Sequence, residues 1–141
     1  MLPFLAAQKT GFKMTDQIEK MKNDPYSNFL GIELVEVKKG FSICTVKVRE
    51  NMLNFLGVIH GGFVFSLADA AFAAASNFEN PLSFALDVSG SFLKSAKPGN
   101  ILRAEARLVY TTKRTGFYKM EVFNENNLIA VFNGTVFRKS E

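Results

Sequence analysis

Apolar and polar residues alternate with a period of two in several segments of this chain, and one long apolar stretch does not. Residues 30–37 read as a strand, Lys38-Lys39-Gly40 as a turn, and residues 41–49 as the partner strand. In that second strand Ser42, Cys44, Val46 and Val48 share one face, with Phe41, Ile43, Thr45 and Lys47 on the other. Four more strands are predicted over roughly 84–93, 101–111, 117–124 and 128–138. They are separated by Lys97-Pro98-Gly99-Asn100, Lys113-Arg114-Thr115-Gly116 and Asn124-Glu125-Asn126-Asn127, all rich in turn-forming residues. In the strand over 101–111, Arg103, Glu105 and Arg107 alternate with Leu102, Ala104, Ala106 and Leu108, which predicts one wet face.

The exception is residues 61–78, an Ala-rich, proline-free run too long for a strand and apolar at nearly every position. Such a segment predicts a helix buried on nearly all sides. A loop holding Asn51, Asn54 and Gly57 leads into it, and near the start of the chain Thr15 is expected to cap a short helix over 16–23, ended by Pro25. Two strands, one buried helix and four meandering strands describe an α+β domain, an antiparallel β-sheet wrapped around a long central helix. Residues 1–25 are expected to be an N-terminal extension with a short helix, and 26–141 a single domain. Met14 begins a more ordinary start, so 1–13 read as an extension.

Composition narrows the class. At 141 residues, 48% hydrophobic and 21% charged, the chain can bury a core without disulfides or structural metal. Cys44 is alone, which excludes an internal disulfide and fits a reducing cytoplasm. The net charge of +4 is scattered along the chain, so no nucleic-acid partner is expected. The opening Met1-Leu-Pro-Phe-Leu-Ala-Ala lacks a signal peptide's charged region and full apolar core, and Asp69 interrupts the apolar run over 62–75. No membrane association is expected.

Candidate chemistry converges on that interruption. Asp69 is the one charged side chain between Glu50 and Glu79, and a carboxylate costs several kcal/mol to bury unpaired. The chain's single histidine, His60, precedes it by nine residues and is followed by Gly61 and Gly62. One His and one Cys make no ordinary zinc site, so no metal and no cofactor are expected. Phosphate-binding glycine loops and a Gly-x-Ser-x-Gly elbow are absent from the sequence. A Ser66–His60–Asp69 triad fails on geometry, since His60 and Ser66 point to different sides of one helix about 9 Å apart along its axis.

What remains is a carboxylate and a helix N-terminus. The first backbone N–H groups after His60 lack intrahelical partners and can receive a carbonyl oxygen that is gaining negative charge. Glycines there let a substrate approach closely. Asp69 then serves as general base or nucleophile. Nine residues of helix span about 14 Å, so His60 and Asp69 cannot touch one carbon within a single subunit. Two antiparallel helices across a two-fold axis bring them together, which predicts a homodimer with composite sites if both residues act. Blander roles stand beside these: capping for His60, turn chemistry for Asn54, core packing for the 15 Phe residues, and solvation for Lys94, Lys97, Lys113 and Arg114.

The pattern Asn54-x5-His60-Gly61-Gly62, followed by Ser66-Leu67-Ala68-Asp69, resembles the hotdog-fold acyl-CoA thioesterases, in the phenylacetyl-CoA thioesterase (PaaI-like) branch. The similarity runs from about residue 29 to 138 and includes the Lys97-Pro98-Gly99 and Arg114-Thr115-Gly116 turns. The resemblance implies a hotdog fold whose subunits pair their sheets edge to edge, with dimers associating into a homotetramer. It implies that Asp69 activates water or attacks the thioester carbonyl, and that the Gly61 N–H polarises that carbonyl from the partner's helix. His60 would orient the loop and thioester, and Asn54 would hold the water or the carboxylate. Gly62, Lys94, Lys97, Lys113 and Arg114 are the candidate contacts to the acyl-CoA substrate. Where some members place a Ser or Thr on the strand after the helix, this chain has Ala85, with Ser83 and Ser89 nearby. Two other readings are an acyl-thioester hydratase or dehydratase on the same fold, and a non-catalytic acyl-CoA-binding module.

Overall fold

The computed structural model describes residues 14–79 and 82–139; the expected extension over 1–13 lies outside them. In chain order the elements are α1 (Met14–Lys22), α2 (Pro25–Leu30), β1 (Glu33–Lys38), β2 (Phe41–Lys47), a 3-10 turn (Glu50–Met52), α3 (Gly61–Ser76), β3 (Ser83–Phe92), β4 (Ile101–Thr111), β5 (Thr115–Asn124) and β6 (Asn127–Arg138). The six strands form one antiparallel sheet in the order β1-β2-β4-β5-β6-β3. This is the α+β, helix-in-sheet arrangement that the periodicities predict.

The alternating residues make the sheet's inner face. Ser42, Cys44, Val46 and Val48 of the β2 segment are buried, as are Leu102, Ala104 and Ala106 of β4. Against them lie Leu67, Ala68, Ala71 and Phe72 of α3. Small residues let helix and sheet approach: a Cβ at Gly134 would sit 2.6 Å from the Phe72 ring, so β6 carries glycine where the helix presses closest. Buried hydroxyls are spent locally, Ser42 Oγ donating to the Ala71 carbonyl at 2.5 Å and Ser76 Oγ to the Phe72 carbonyl at 2.8 Å. Asn77 ends the helix and fastens it to β3, accepting from Ser83 N at 2.8 Å and donating to Ser83 O at 3.1 Å.

Four expectations need correction. Thr15 lies inside α1 rather than capping it. Pro25 does not merely stop a helix; it opens α2 at N1, with Asp24 as N-cap accepting from Ser27 N at 3.0 Å. The last four strands are not a simple meander: β3 pairs with β6, and residues 93–100 carry the chain across so that β4 pairs with β2. Finally, α3 is not buried all round. Gly62, Phe65 and Ala73 are exposed and Ser66, Asp69 and Ala70 half-buried, so one stripe of the helix stays open with Asp69 in its middle.

The sheet has two edges, β1 and β3. The β1 edge is short and carries a bulge between Leu34 and Glu36. The β3 edge is ten residues long and exposes Phe84, Leu86 and Phe92. Among the described residues no helix is long and apolar enough to cross a membrane.

Candidate active site

α3 begins at His60-Gly61-Gly62 because the histidine caps it. His60 has extended backbone (φ −69°, ψ 131°), and its Nδ1 accepts from Gly62 N at 2.8 Å. That bond makes Nδ1 the acceptor and leaves the proton on Nε2. Phe63 N and Val64 N both donate to the His60 carbonyl, at 3.0 and 3.3 Å. Among the described residues the Gly61 N–H is left without a partner, at the positive end of the helix. A Cβ on Gly61 would lie 3.3 Å from the Phe92 ring, and one on Gly62 3.0 Å from His60 Nδ1. Both glycines keep this helix end compact.

The loop ahead of the helix is organised by Asn54. Its Oδ1 accepts from Leu56 N (2.9 Å) and Val58 N (3.2 Å), and its backbone N donates to the Val58 carbonyl at 2.7 Å. His60 N reaches the Met52 carbonyl at 2.8 Å, tying loop to cap. Asn54 therefore has a turn-forming role, with Oδ1 committed and the carboxamide NH2 free of partners among the described residues. Gly61 and Lys94 line a cavity of about 350 Å³ here, with Val58, Val64, Phe92 and Ile129.

Asp69 lies eight residues further along α3, about 12 Å of helical rise from Gly61. It is half-buried and has neither a hydrogen bond nor an ion pair among the described residues. Burial, and secondarily the nearby Asp24 carboxylate, hold its acid in the protonated form to higher pH than usual. It opens onto a cavity of about 400 Å³, lined by Ser66 and Ala73 of α3, Met21 of α1, Tyr26 of α2 and Cys44 of β2. Ser66 Oγ donates back to the Gly62 carbonyl at 2.9 Å and lies 3.5 Å from Tyr26 Oη. The serine is thus engaged with its own helix.

Within one subunit the candidate residues form two groups. Asn54, His60, Gly61, Gly62 and Lys94 gather at the helix start, and Asp69 stands apart on the other cavity. Lys97 is exposed in the turn before β4, whereas Lys113 and Arg114 lie in the turn after it, roughly 35 Å away along the 11-residue strand. Ser83 is buried, and its Oγ has no partner among the described residues. Asp24 and Tyr26 escaped the sequence reading. The Asp24-Pro25 pair, an N-cap before a proline at N1, was the signal that could have shown the helix carrying them.

A helix held in an antiparallel sheet, with an unpaired N–H at its start and an unpaired carboxylate on its open stripe, is the arrangement of a hotdog fold with a candidate site on its helix. The sequence profile of the thioesterase superfamily matches residues 56–131. A putative esterase of Archaeoglobus fulgidus is 40% identical over 92% of this chain and 88% of its own. The acyl-coenzyme A thioesterase PaaI of Escherichia coli is 36% identical over 80% of this chain and 81% of its own. The solved structure of the E. coli PaaI protein superposes with a TM-score of 0.85 at 33% identity, covering 90% of this chain and 94% of that one. This chain belongs to the thioesterase superfamily, in its PaaI-like branch.

Proposed function

We propose that the protein hydrolyses an acyl-CoA or aryl-acyl-CoA thioester to the free acid and CoA at sites shared by two subunits. The observation that carries this reading is the separation on α3 of an unpaired N–H at Gly61 from an unpaired carboxylate at Asp69. Each is half of a carbonyl-addition site, and about 12 Å of helix keeps them from sharing a carbon within one chain. A two-fold axis that sets α3 antiparallel to its copy places the Gly61 of each subunit against the other's Asp69. The long apolar β3 edge, whose outer backbone groups have no neighbouring strand among the described residues, supports such a partner copy.

In this arrangement the thioester oxygen lies on the partner's Gly61 N–H. Asp69 takes a proton from water as the water oxygen bonds to the carbonyl carbon. Negative charge collects on the thioester oxygen, where a donor of this kind is worth about 3–4 kcal/mol. Collapse of the adduct breaks the C–S bond, and the thiolate takes up the proton held by Asp69. Direct attack by the Asp69 carboxylate, followed by hydrolysis of the anhydride, uses the same groups. The raised proton affinity of Asp69 suits the base role, since a stronger base takes the water proton more readily. His60 holds the helix start in register, and the Asn54 amide NH2, free of partners among the described residues, would hold the water or the carboxylate. Lys94, beside Gly61, is the best-placed cation for CoA phosphates in this set, with Lys97, Lys113 and Arg114 as further candidates.

Release of CoA thiol, followed with a thiol-reactive dye over a panel of acyl- and aryl-acyl-CoAs, tests the reading. Asp69→Asn is expected to lower kcat by roughly a thousand-fold or more while keeping the oligomer. Wild-type turnover in that variant would remove Asp69 from the mechanism. Binding of CoA thioesters without release by the wild-type protein would leave a binding module instead.

A further inference from the structure

Two parts of the chain are packed incompletely within one subunit. The first is the tip of the loop ahead of α3. Phe55 is 95% exposed and Leu56 71% exposed, in a turn where polar residues are the rule. The tip is nonetheless well braced. Asn54 Oδ1 accepts from Leu56 N and Val58 N, and the Asn54 carbonyl accepts from Gly57 N at 2.9 Å. Gly57 takes the left-handed conformation, with φ 82°, that closes the turn. A loop held this firmly around two bare apolar side chains loses little freedom when something covers them.

The second part is α1 with α2. Among the described residues no side chain of either helix is buried. Ile18 and Met21 are half-buried, and Tyr26 and Phe29, stacked with their ring centres 6.5 Å apart, are open to solvent. Helices of nine and six residues do not persist in water on propensity alone and need packing to hold them. Their polar ties to the rest of the subunit are long: Gln17 Nε2 to the Asn77 carbonyl at 3.4 Å, Tyr26 Oη to Ser66 Oγ at 3.5 Å and Arg49 Nη2 to the Leu30 carbonyl at 3.2 Å.

We propose that the Phe55–Leu56 tip of each subunit docks on the α1–α2 junction of the other, so that each N-terminal helix pair is held by the partner's loop. The proposal rests on the antiparallel two-fold of the shared site. That axis sets the Gly61 of one α3 against the Asp69 of the other, and Asp69 shares its cavity with Met21, Asp24 and Tyr26 of the junction. Leu56 lies five residues ahead of Gly61, so the tip arrives at the junction together with the helix start. Area points the same way. A standard interface takes about 800 Å² from each partner. At roughly 150–250 Å² for an open aromatic side chain, Phe84, Leu86 and Phe92 on the β3 edge offer on the order of 300 Å². Phe55 and Leu56 about double that, and Tyr26 and Phe29 add a similar amount. Because the loop leads straight into the His60 cap, an anchored tip also fixes the Gly61 N–H relative to the partner's Asp69.

Crosslinking tests the contact directly. The full-length Leu56→Cys/Lys20→Cys double variant, which keeps Phe55, is treated with a short bismaleimide; Lys20 is exposed at the junction, and the buried Cys44 does not compete. A covalent dimer on a denaturing gel is expected, well beyond that given by either single variant. Crosslinks confined to one chain, or none in a protein that sediments as a dimer, would overturn the proposal. Phe55→Ser is the second measurement. It is expected to raise the dimer dissociation constant at least roughly ten-fold. Amide hydrogen exchange over residues 14–30 should quicken by a similar factor, with β4 and β5 unmoved. Unchanged exchange over residues 14–30 sinks the docking. A wild type that sediments as one copy sinks the shared-site reading and this one with it, whereas an active dimer without the crosslink sinks this one alone.

Discussion

The acid–base character of Asp69 has a consequence for stability that does not depend on substrate. Its proton is held more tightly in the folded chain than at the ordinary carboxylate value of 3.8, chiefly through burial and then through Asp24. Between those two values the native state binds more protons than the unfolded one. The contribution of this group is thus fully present below pH 3.8 and is lost as pH rises through the raised folded value. At neutral pH the ionised side chain costs stability, so Asp69→Asn is expected to melt at higher temperature than wild type at pH 7. By pH 3 the gain should vanish; calorimetry at both values checks it. Asp24→Asn separates the second cause from the first. Asparagine also caps helices well, so α2 should keep its start while the neighbouring negative charge disappears. The acid limb of kcat/KM against pH is then expected to move to lower pH, and an unmoved limb would make Asp24 a cap and nothing more.

Among the elements, the fit of α3 into the sheet is the most sensitive contact. Gly134→Ala would set a methyl group 2.6 Å from the Phe72 ring, forcing helix and sheet apart. Overpacking of this kind costs about 1–3 kcal/mol, which chemical denaturation would read as a lower midpoint at unchanged slope. The elements themselves were legible where burial follows the alternation. Leu102, Ala104 and Ala106 against Arg103, Glu105 and Arg107 delimit β4 as residues 101–111, the bounds it has in the fold. Legibility failed where one residue type serves two purposes. Pro25 reads equally as a stop and as a first helical residue. Alanine is at home on covered and open helix faces alike, so the open stripe of α3 could not be told from its buried side. The eight residues 93–100 suit a hairpin or a crossover, and nothing local decides between them. At the candidate site, the helix start at His60-Gly61 and the isolation of Asp69 were visible in advance. The wall built by α1 and α2 was not, because neither segment carries a long apolar period.

For the whole molecule, the open stripe of α3 and the β3 edge are a single continuous question of assembly. Phe84, Leu86 and Phe92 on that edge are 54%, 60% and 57% exposed, a large apolar surface for a strand with one free side. A chain of 15.7 kDa is therefore expected to sediment with the mass of two or four copies at micromolar concentration. Leu86→Lys should shift that mass toward one copy and lower hydrolysis in parallel, since a monomer would lack the partner's Gly61. A fully active monomer would dissolve the shared-site mechanism.

Cys44 gives the protein an internal clock. It is the sequence's one thiol, 2% exposed between β2 and α3, and burial holds it un-ionised. In the native state it is closed to disulfide reagents, so a dye that counts liberated CoA does not count the enzyme. When the thiol does react, the wall of the cavity it lines has opened. Its labelling rate over hours reports how often the core opens, from the same reagent that in seconds reports turnover.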